Sequence, residues 1–169
     1  YNSKLISANS GDSLYISGLL GGFLAANLIM LNSSSFNKEV IEQANSLLSQ
    51  PVAQIKNSNV LYDKKVVYSA TDLSDGLGDA LNSFCQDKTG FDLDIEKIKF
   101  HPLAILVNKV LGIELVKLAL SVGDWAIAYV ISKNKLDSIP SLDNFYCVGT
   151  FNSTGNITYT ISKGFSRIL

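Results

Sequence analysis

The chain has 169 residues, 47% of them hydrophobic and 17% charged, with a formal net charge of −1. That composition describes one ordinary domain with enough apolar side chain for a core, and it excludes a disordered segment. The near-zero charge gives no electrostatic footprint for nucleic acid. No apolar run reaches membrane-spanning length, because the longest, over residues 14–31, is broken by Ser17, Gly18, Gly21, Gly22 and Asn27. Cys85 and Cys147 stand far apart and in no CxxC pair, so a reduced, cytoplasmic setting is the default. The first residue is Tyr1 rather than Met, which reads as a domain excised from a longer protein.

In chain order, Gly11-Asp12 reads as a turn before a short strand, Ser13 to Ser17. Gly18 to Gly22 is a glycine-rich loop, and Phe23 to Leu31 is expected as a buried helix rich in Ala and Leu. After the polar break Asn32 to Ser35, an amphipathic helix runs from Glu39 to Ser49 with Val40, Ala44, Leu47 and Leu48 on one stripe. Pro51 interrupts, and Val52 to Ser58 has room for a helical turn or two. Lys65 to Ala70 is apolar on both faces and is expected as a central strand. Asp75 to Lys88 reads as a helix with Leu77, Leu81 and Phe84 inward and Gly90 closing it. Phe91 to Ile95 alternates as a strand, and Lys97-Ile98-Lys99 reads as a solvated strand edge. Helices follow over Pro102 to Val110 and Glu114 to Leu120, separated by Gly112. Trp125 to Ser132 is a strand, and Lys133 to Ile139 a short helix. Tyr146 to Phe151 and Ile157 to Ile161 are closing strands joined through Thr154-Gly155-Asn156. This order predicts an α/β (α+β) domain with helices layered on a mixed sheet.

Three constellations carry chemistry. In the first, Asp72, Ser74, Asp75 and Asp79 stand where a strand runs into a helix. Ser74 or Asp75 can cap that helix while Asp72 makes an Asx-turn. The same residues can instead hold a hard metal beside phosphate oxygens, with helix N–H groups adding donors. In the second, Ser17-Gly18-Leu19-Leu20-Gly21-Gly22 lies between strand and helix. It suits either close helix–strand packing or backbone approach to a phosphate, but it is no Walker motif and contains no Lys. In the third, Ser121-Val122-Gly123-Asp124-Trp125 puts the single Trp beside a carboxylate at a strand entrance. Trp125 there is a core or rim residue, or a stacking wall for a ligand ring. His101, the single histidine, has no partner motif for catalysis, and no catalytic residue is assigned.

Taken in order, these constellations resemble one family. Asp72-Leu73-Ser74-Asp75-Gly76-Leu77 is similar to the D-[IVL]-S-D-G-L motif of thiamine-monophosphate kinases, members of the aminoimidazole ribonucleotide synthetase (AIR synthase) superfamily. Gly11-Asp12 followed by Tyr15-Ile16-Ser17-Gly18-Leu19-Leu20-Gly21 resembles the stretch that opens the family's C-terminal domain. Leu118 to Trp125 sits where the family carries A-L-S-G-G/E-D-Y-E-L-L-F, and Gly164-Phe165 resembles the terminal G-[YW]-D-H-F.

The resemblance implies a layered α/β/α domain spanning residues 1–169, the C-terminal half of a two-domain enzyme that uses ATP and Mg2+. It implies that the N-terminal domain supplies most metal-binding aspartates and that the full-length protein is a homodimer. Carried over by position, Asp75 and Asp72 would be metal ligands. Asp72, Ser74, Asp75, Gly76, Gly18 and Gly21 would face the nucleotide, and Asp124 and Trp125 a small-molecule acceptor. Nucleic acid and membrane are not expected partners. Trp125-Ala126 replaces the family's Tyr-Glu, and Ser166-Arg167 its Asp-His, which leaves the acceptor open. The alternatives are a non-catalytic binding or assembly module on the same scaffold, and another ATP-dependent synthetase of the superfamily.

Overall fold

A computed structural model describes residues 6–85, 88–161 and 165–168. Gly164, on which the resemblance drew, lies outside them, as do Gln86 and Asp87 of the helix expected over 75–88.

The strands are β1 (Ser13–Ser17), β2 (Val67–Asp72), β3 (Gly90–Asp94), β4 (Ile127–Ile131), β5 (Phe145–Asn152), β6 (Ile157–Ile161) and β7 (Phe165–Ile168). The α-helices are α1 (Gly22–Leu31), α2 (Lys38–Ser49), α3 (Ile55–Lys64), α4 (Leu77–Phe84), α5 (Pro102–Leu111) and α6 (Leu115–Ala119). The strands form one sheet in the order β2-β4-β1-β5-β3-β6-β7. Its described pairings are antiparallel except β3 with β6, so the sheet is mixed, as expected.

Alternation along the strands splits the sheet into two faces. Leu14 and Ile16 of β1, Val130 of β4 and Leu93 of β3 share a core with Leu77, Leu81 and Phe84 of α4. Tyr129, next to Val130, points the other way and packs with Leu61 of α3. Helices therefore lie on both faces of the sheet. A second apolar cluster joins α1, α2, α5 and α6 through residues such as Ala25, Ile29, Ala44, Ala104 and Leu118. No helix among the described residues is long and apolar enough to cross a membrane. Both cysteines are free and half-buried.

Several expectations need correction. The strand expected to be central, β2, lies at an edge of the described sheet; Ser69 is its one buried residue, with Val67, Tyr68 and Thr71 half-buried and Ala70 and Asp72 exposed. The helix expected from Asp75 begins at Leu77, with Gly76 at the cap position, and Gly90 opens β3 instead of closing the helix. The helix α1 is buried on one side only, at Gly22, Ala25, Ala26 and Ile29, and leaves Leu31 81% exposed. Ile95–Lys97 is a 3-10 turn, and Phe100 bridges in parallel to Leu20, so residues 97–99 are no simple strand edge.

Candidate functional site

The acidic turn starts where β2 leaves the sheet. Asp72 Oδ1 accepts the Ser74 backbone N–H at 3.0 Å and the Ser74 hydroxyl at 2.5 Å. These two donors, the hydroxyl first, hold the exposed Asp72 carboxyl below the usual carboxylate range. Ser74 thus serves Asp72 rather than capping α4, whose start has no side-chain cap. Gly76 turns the chain at φ 94°, where a Cβ would lie 2.8 Å from the Ser121 carbonyl oxygen. Only glycine lets α4 begin this close to the end of α6. Asp75 and Asp79 are both exposed, one on each side of that start.

The Gly123-Asp124-Trp125 loop is stitched to this turn. Gly123 N–H donates to the Ser74 carbonyl at 2.8 Å, and Leu73 N–H to the Ala126 carbonyl at 3.0 Å. On its other side the loop reaches α1. Asp124, only 5% exposed, accepts the N–H of Gly21 at 2.6 Å through Oδ2 and of Phe23 at 3.1 Å through Oδ1. A carboxylate from 101 positions away therefore caps α1, whose own cap residue Gly21 has no side chain. Burial pushes the Asp124 carboxyl up to about 6, against the lowering pull of the Gly21, Phe23 and Gly22 amides.

The glycine-rich loop closes the arrangement. Gly18 N–H donates to the Asn144 carbonyl at 2.9 Å, and Leu20 N–H to the Lys99 carbonyl at 3.0 Å. Gly18 and Gly21 N–H are thus both committed to protein acceptors, as is that of Gly76, which donates to the Leu73 carbonyl.

Two adjoining cavities lie among these loops. One, of about 250 Å³, has Gly18, Gly22, His101, Asp124 and Trp125 in its wall. The other, of about 270 Å³, has Asp72, Ser74, Asp124 and Trp125. Trp125, 51% exposed, and Asp124 belong to both. The structure thus brings Asp72, Ser74, Gly18, Asp124 and Trp125 together. Gly21 and Gly76 stand behind the walls as backbone pivots, and Asp75 lies on the exposed turn beside Asp72.

Sequence reasoning missed Gln54 and Asn144 and found no role for His101, and all three line the first cavity. Asn144, at φ 48°, follows an Asp and precedes a strand, which is a turn signal the sequence carries. Gln54 has no pattern around it. Its Oε1 accepts the Ser17 hydroxyl at 3.2 Å, and that hydroxyl in turn accepts from Asn57 Nδ2 at 2.8 Å.

A hard cation would find a partial ligand set. Asp72 is exposed, and its carboxyl is held below the usual carboxylate range. With the exposed Asp75 three residues further on, one or two carboxylates are offered, the number magnesium takes when phosphate and water complete its shell. Among the described residues no group of three or more His, Cys, Asp or Glu gathers to hold a metal unaided. The residues fit the group only as one side of a shared site.

Mixed sheet, helices on both faces and loops converging at strand ends define a layered α/β domain. Among solved structures the chain is similar to the thiamine monophosphate kinase from Aquifex aeolicus, with a TM-score of 0.73 at 19% identity, covering 91% of this chain and 52% of that one. It is also similar to HypE, a hydrogenase maturation protein of E. coli, with a TM-score of 0.72 at 20% identity, covering 95% and 50%. A structure of AaThiL complexed with AMPPCP and TMP aligns with a TM-score of 0.75 at 18% identity, covering 96% and 52%. The chain spans about half the length of these proteins, and at these identities the likeness is one of fold. No family model matches the sequence, and no curated protein matches it.

Proposed function

We propose that this chain is the C-terminal half of an ATP- and magnesium-dependent phosphotransferase resembling thiamine-monophosphate kinase, acting on a small-molecule acceptor. The observation that carries the reading is the meeting of the acidic turn, the glycine loop and the Gly-Asp-Trp loop at two cavities that share Trp125 as a wall. The nucleotide-bound state of a structural neighbour, complexed with AMPPCP and TMP, supports it, as does a HypE structure in complex with ATP.

In this reading Asp72 and Asp75 hold magnesium from one side, and Ser74 keeps Asp72 ionised and aimed. When bound, magnesium supplies charge neutralisation between phosphate oxygens. The first-turn amides of α4, from Leu77 on, have no intrahelical acceptor and favour phosphate. Trp125 stacks on the acceptor, and Asp124 fixes the Trp125 loop against α1. Among the described residues no Lys or Arg lines either cavity, so in this reading further charge comes from the N-terminal domain that it supplies, in a protein that is a homodimer when full length.

The test is calorimetric titration of the full-length protein with AMPPCP across a magnesium series. Asp75→Asn is expected to weaken magnesium-dependent binding about tenfold, the worth of one charge-assisted ligand. An affinity that ignores magnesium, or an Asn variant indistinguishable from wild type, sinks the metal assignment. Residues 1–169 alone are expected to turn over no ATP.

One observation favours a second reading. Ala126, which stands where the resembling family carries Glu, is 1% exposed, and a Cβ added at Gly18 would lie 3.1 Å from its own Cβ. Ala126 lines both cavities, so their walls lack the carboxylate that the resembling family carries at this position. That favours a changed reaction, either a binding module or a different ATP-dependent synthetase. Product analysis with candidate acceptors separates a kinase from a synthetase, and the absence of any product leaves the module.

A further inference from the structure

We infer that His101 faces the ligand: its imidazole offers a fixed, neutral N–H donor to a carbonyl oxygen or ring nitrogen of a small molecule in the cavity shared with Gln54, Asp124 and Trp125. The inference rests on the reading that this cavity binds a small molecule.

The geometry begins at the start of α5. His101 is the cap residue of that helix, and its Nδ1 accepts the Leu103 N–H at 3.2 Å. A backbone N–H can donate only to a bare lone pair, so the proton of the neutral ring sits on Nε2. The backbone is fixed as well, because His101 N–H donates to the Leu20 carbonyl at 2.9 Å. On the α1 side, a Cβ added at Gly22 would lie 3.0 Å from the ring's Cγ and 3.1 Å from the His101 Cβ, so the base of the side chain packs closely against that helix.

Nε2 is the atom left over. Among the described residues the cap bond is the one hydrogen bond of the imidazole, and no side-chain N or O atom there is both buried and unpartnered. Nε2 is therefore open, on a residue that lines the cavity. Burial lowers the ring's pKa from 6.5, and protonation at Nδ1 would break the cap, so two effects keep it neutral. Asp124 is the other titratable group lining the cavity, and its carboxylate is turned onto the α1 amides. Lys99, two residues before His101, holds its ammonium 5.3 Å from the Tyr146 ring centroid. With no Lys or Arg among the described residues of the wall and one buried carboxylate there, an anionic group is poorly matched here. An uncharged acceptor on a flat ring beside Trp125 is well matched.

The experiment is 15N NMR of the histidine side chains in the full-length protein, with His101 identified by the signal lost in His101→Asn. The neutral Nε2–H tautomer is expected, and an Nδ1–H tautomer overturns the inference. Asn keeps an acceptor for the Leu103 amide and removes Nε2, so His101→Asn should unfold at the wild-type denaturant midpoint. His101→Ala, which loses the cap too, should unfold earlier. AMPPCP with magnesium and TMP are then titrated separately. At least one should shift the His101 signal and bind about fivefold more weakly to His101→Asn, the worth of one neutral hydrogen bond. Binding of a probe, with the His101 signal moved by neither, overturns the inference and leaves the nucleotide reading standing. Binding of neither probe overturns both.

Discussion

Asp124 turns its carboxylate onto the first amides of α1 from inside the fold, and this has a consequence for pH. Its folded pKa of about 6 lies above the ordinary 3.8, so the folded state holds the proton more tightly than the unfolded one. The contribution is therefore fully present below about pH 4 and is lost as the pH rises through about 6. The gap between 3.8 and about 6 corresponds to ~3 kcal/mol at most. Urea denaturation of Asp124→Asn should show a flatter stability profile than wild type across that window, and a parallel profile would remove Asp124 as the source. Next to it, Gly123 stands at φ 99°, and a Cβ there would lie 2.0 Å from the Phe23 ring. Gly123→Ala combines left-handed backbone strain with overpacking and should lose about 2–4 kcal/mol in the same assay. Side-chain identity is readable at such positions, but its target is not. Gly-Asp-Trp reads locally as a turn, whereas the residues it serves, Gly21 and Phe23, are over a hundred positions away in sequence.

Elements with self-contained signals were legible. Observed β1 and β6 coincide with their expected limits, because alternation and flanking turns act over a few residues. The amphipathic stripe located α2, and Asn37 caps it by accepting the Val40 N–H at 3.0 Å. Pro102 at its start and Gly112 at φ 69° after its end bracket α5. Elements whose limits are set by distant neighbours were not legible. Apolar residues in β2 suggested a central strand, and Val67 and Tyr68 do pack on opposite faces of the sheet, yet among the described residues β2 pairs with β4 alone. The start of α4 was displaced by two residues, because Ser74 bonds back to Asp72 and the close approach of Ser121 selects Gly76 as the hinge. Only a helical turn or two was expected over Val52 to Ser58, whereas α3 spans Ile55–Lys64 with Leu61 fully buried against Tyr129. At this scale Asn37→Ala should cost about 1 kcal/mol of stability and leave nucleotide binding unchanged. A fall in AMPPCP affinity would mean that α2 is coupled to the site.

Across the whole molecule, Asp12 ties three parts of the sheet together. The carboxylate, 3% exposed, accepts from the Asn9 N–H at 3.0 Å, the Lys133 N–H at 3.1 Å and the Tyr68 hydroxyl of β2. Burial first, and then the bond to Asp12, push the Tyr68 phenol up to about 12. Its contribution should therefore persist below about pH 10 and fade toward 12, and Tyr68→Phe should remove that alkaline loss while costing about 1 kcal/mol at neutral pH. The Gly-Asp pair of the sequence is thus the fastening of edge strand β2, the strand that carries the acidic turn. The candidate site was legible only as three separate motifs. Their meeting depends on strand order, and the single residues that complete the wall, Gln54, His101 and Asn144, carry no spacing that marks them.

The Gly123-Asp124-Trp125 loop holds the Ser74 carbonyl on one side and the Gly21 and Phe23 amides on the other. It cannot lift without releasing both, so these distant segments share one opening event. In hydrogen exchange the amides of Gly21, Phe23, Leu73 and Gly123 should report a single opening free energy, and a substitution that loosens any one of them should deprotect all four together.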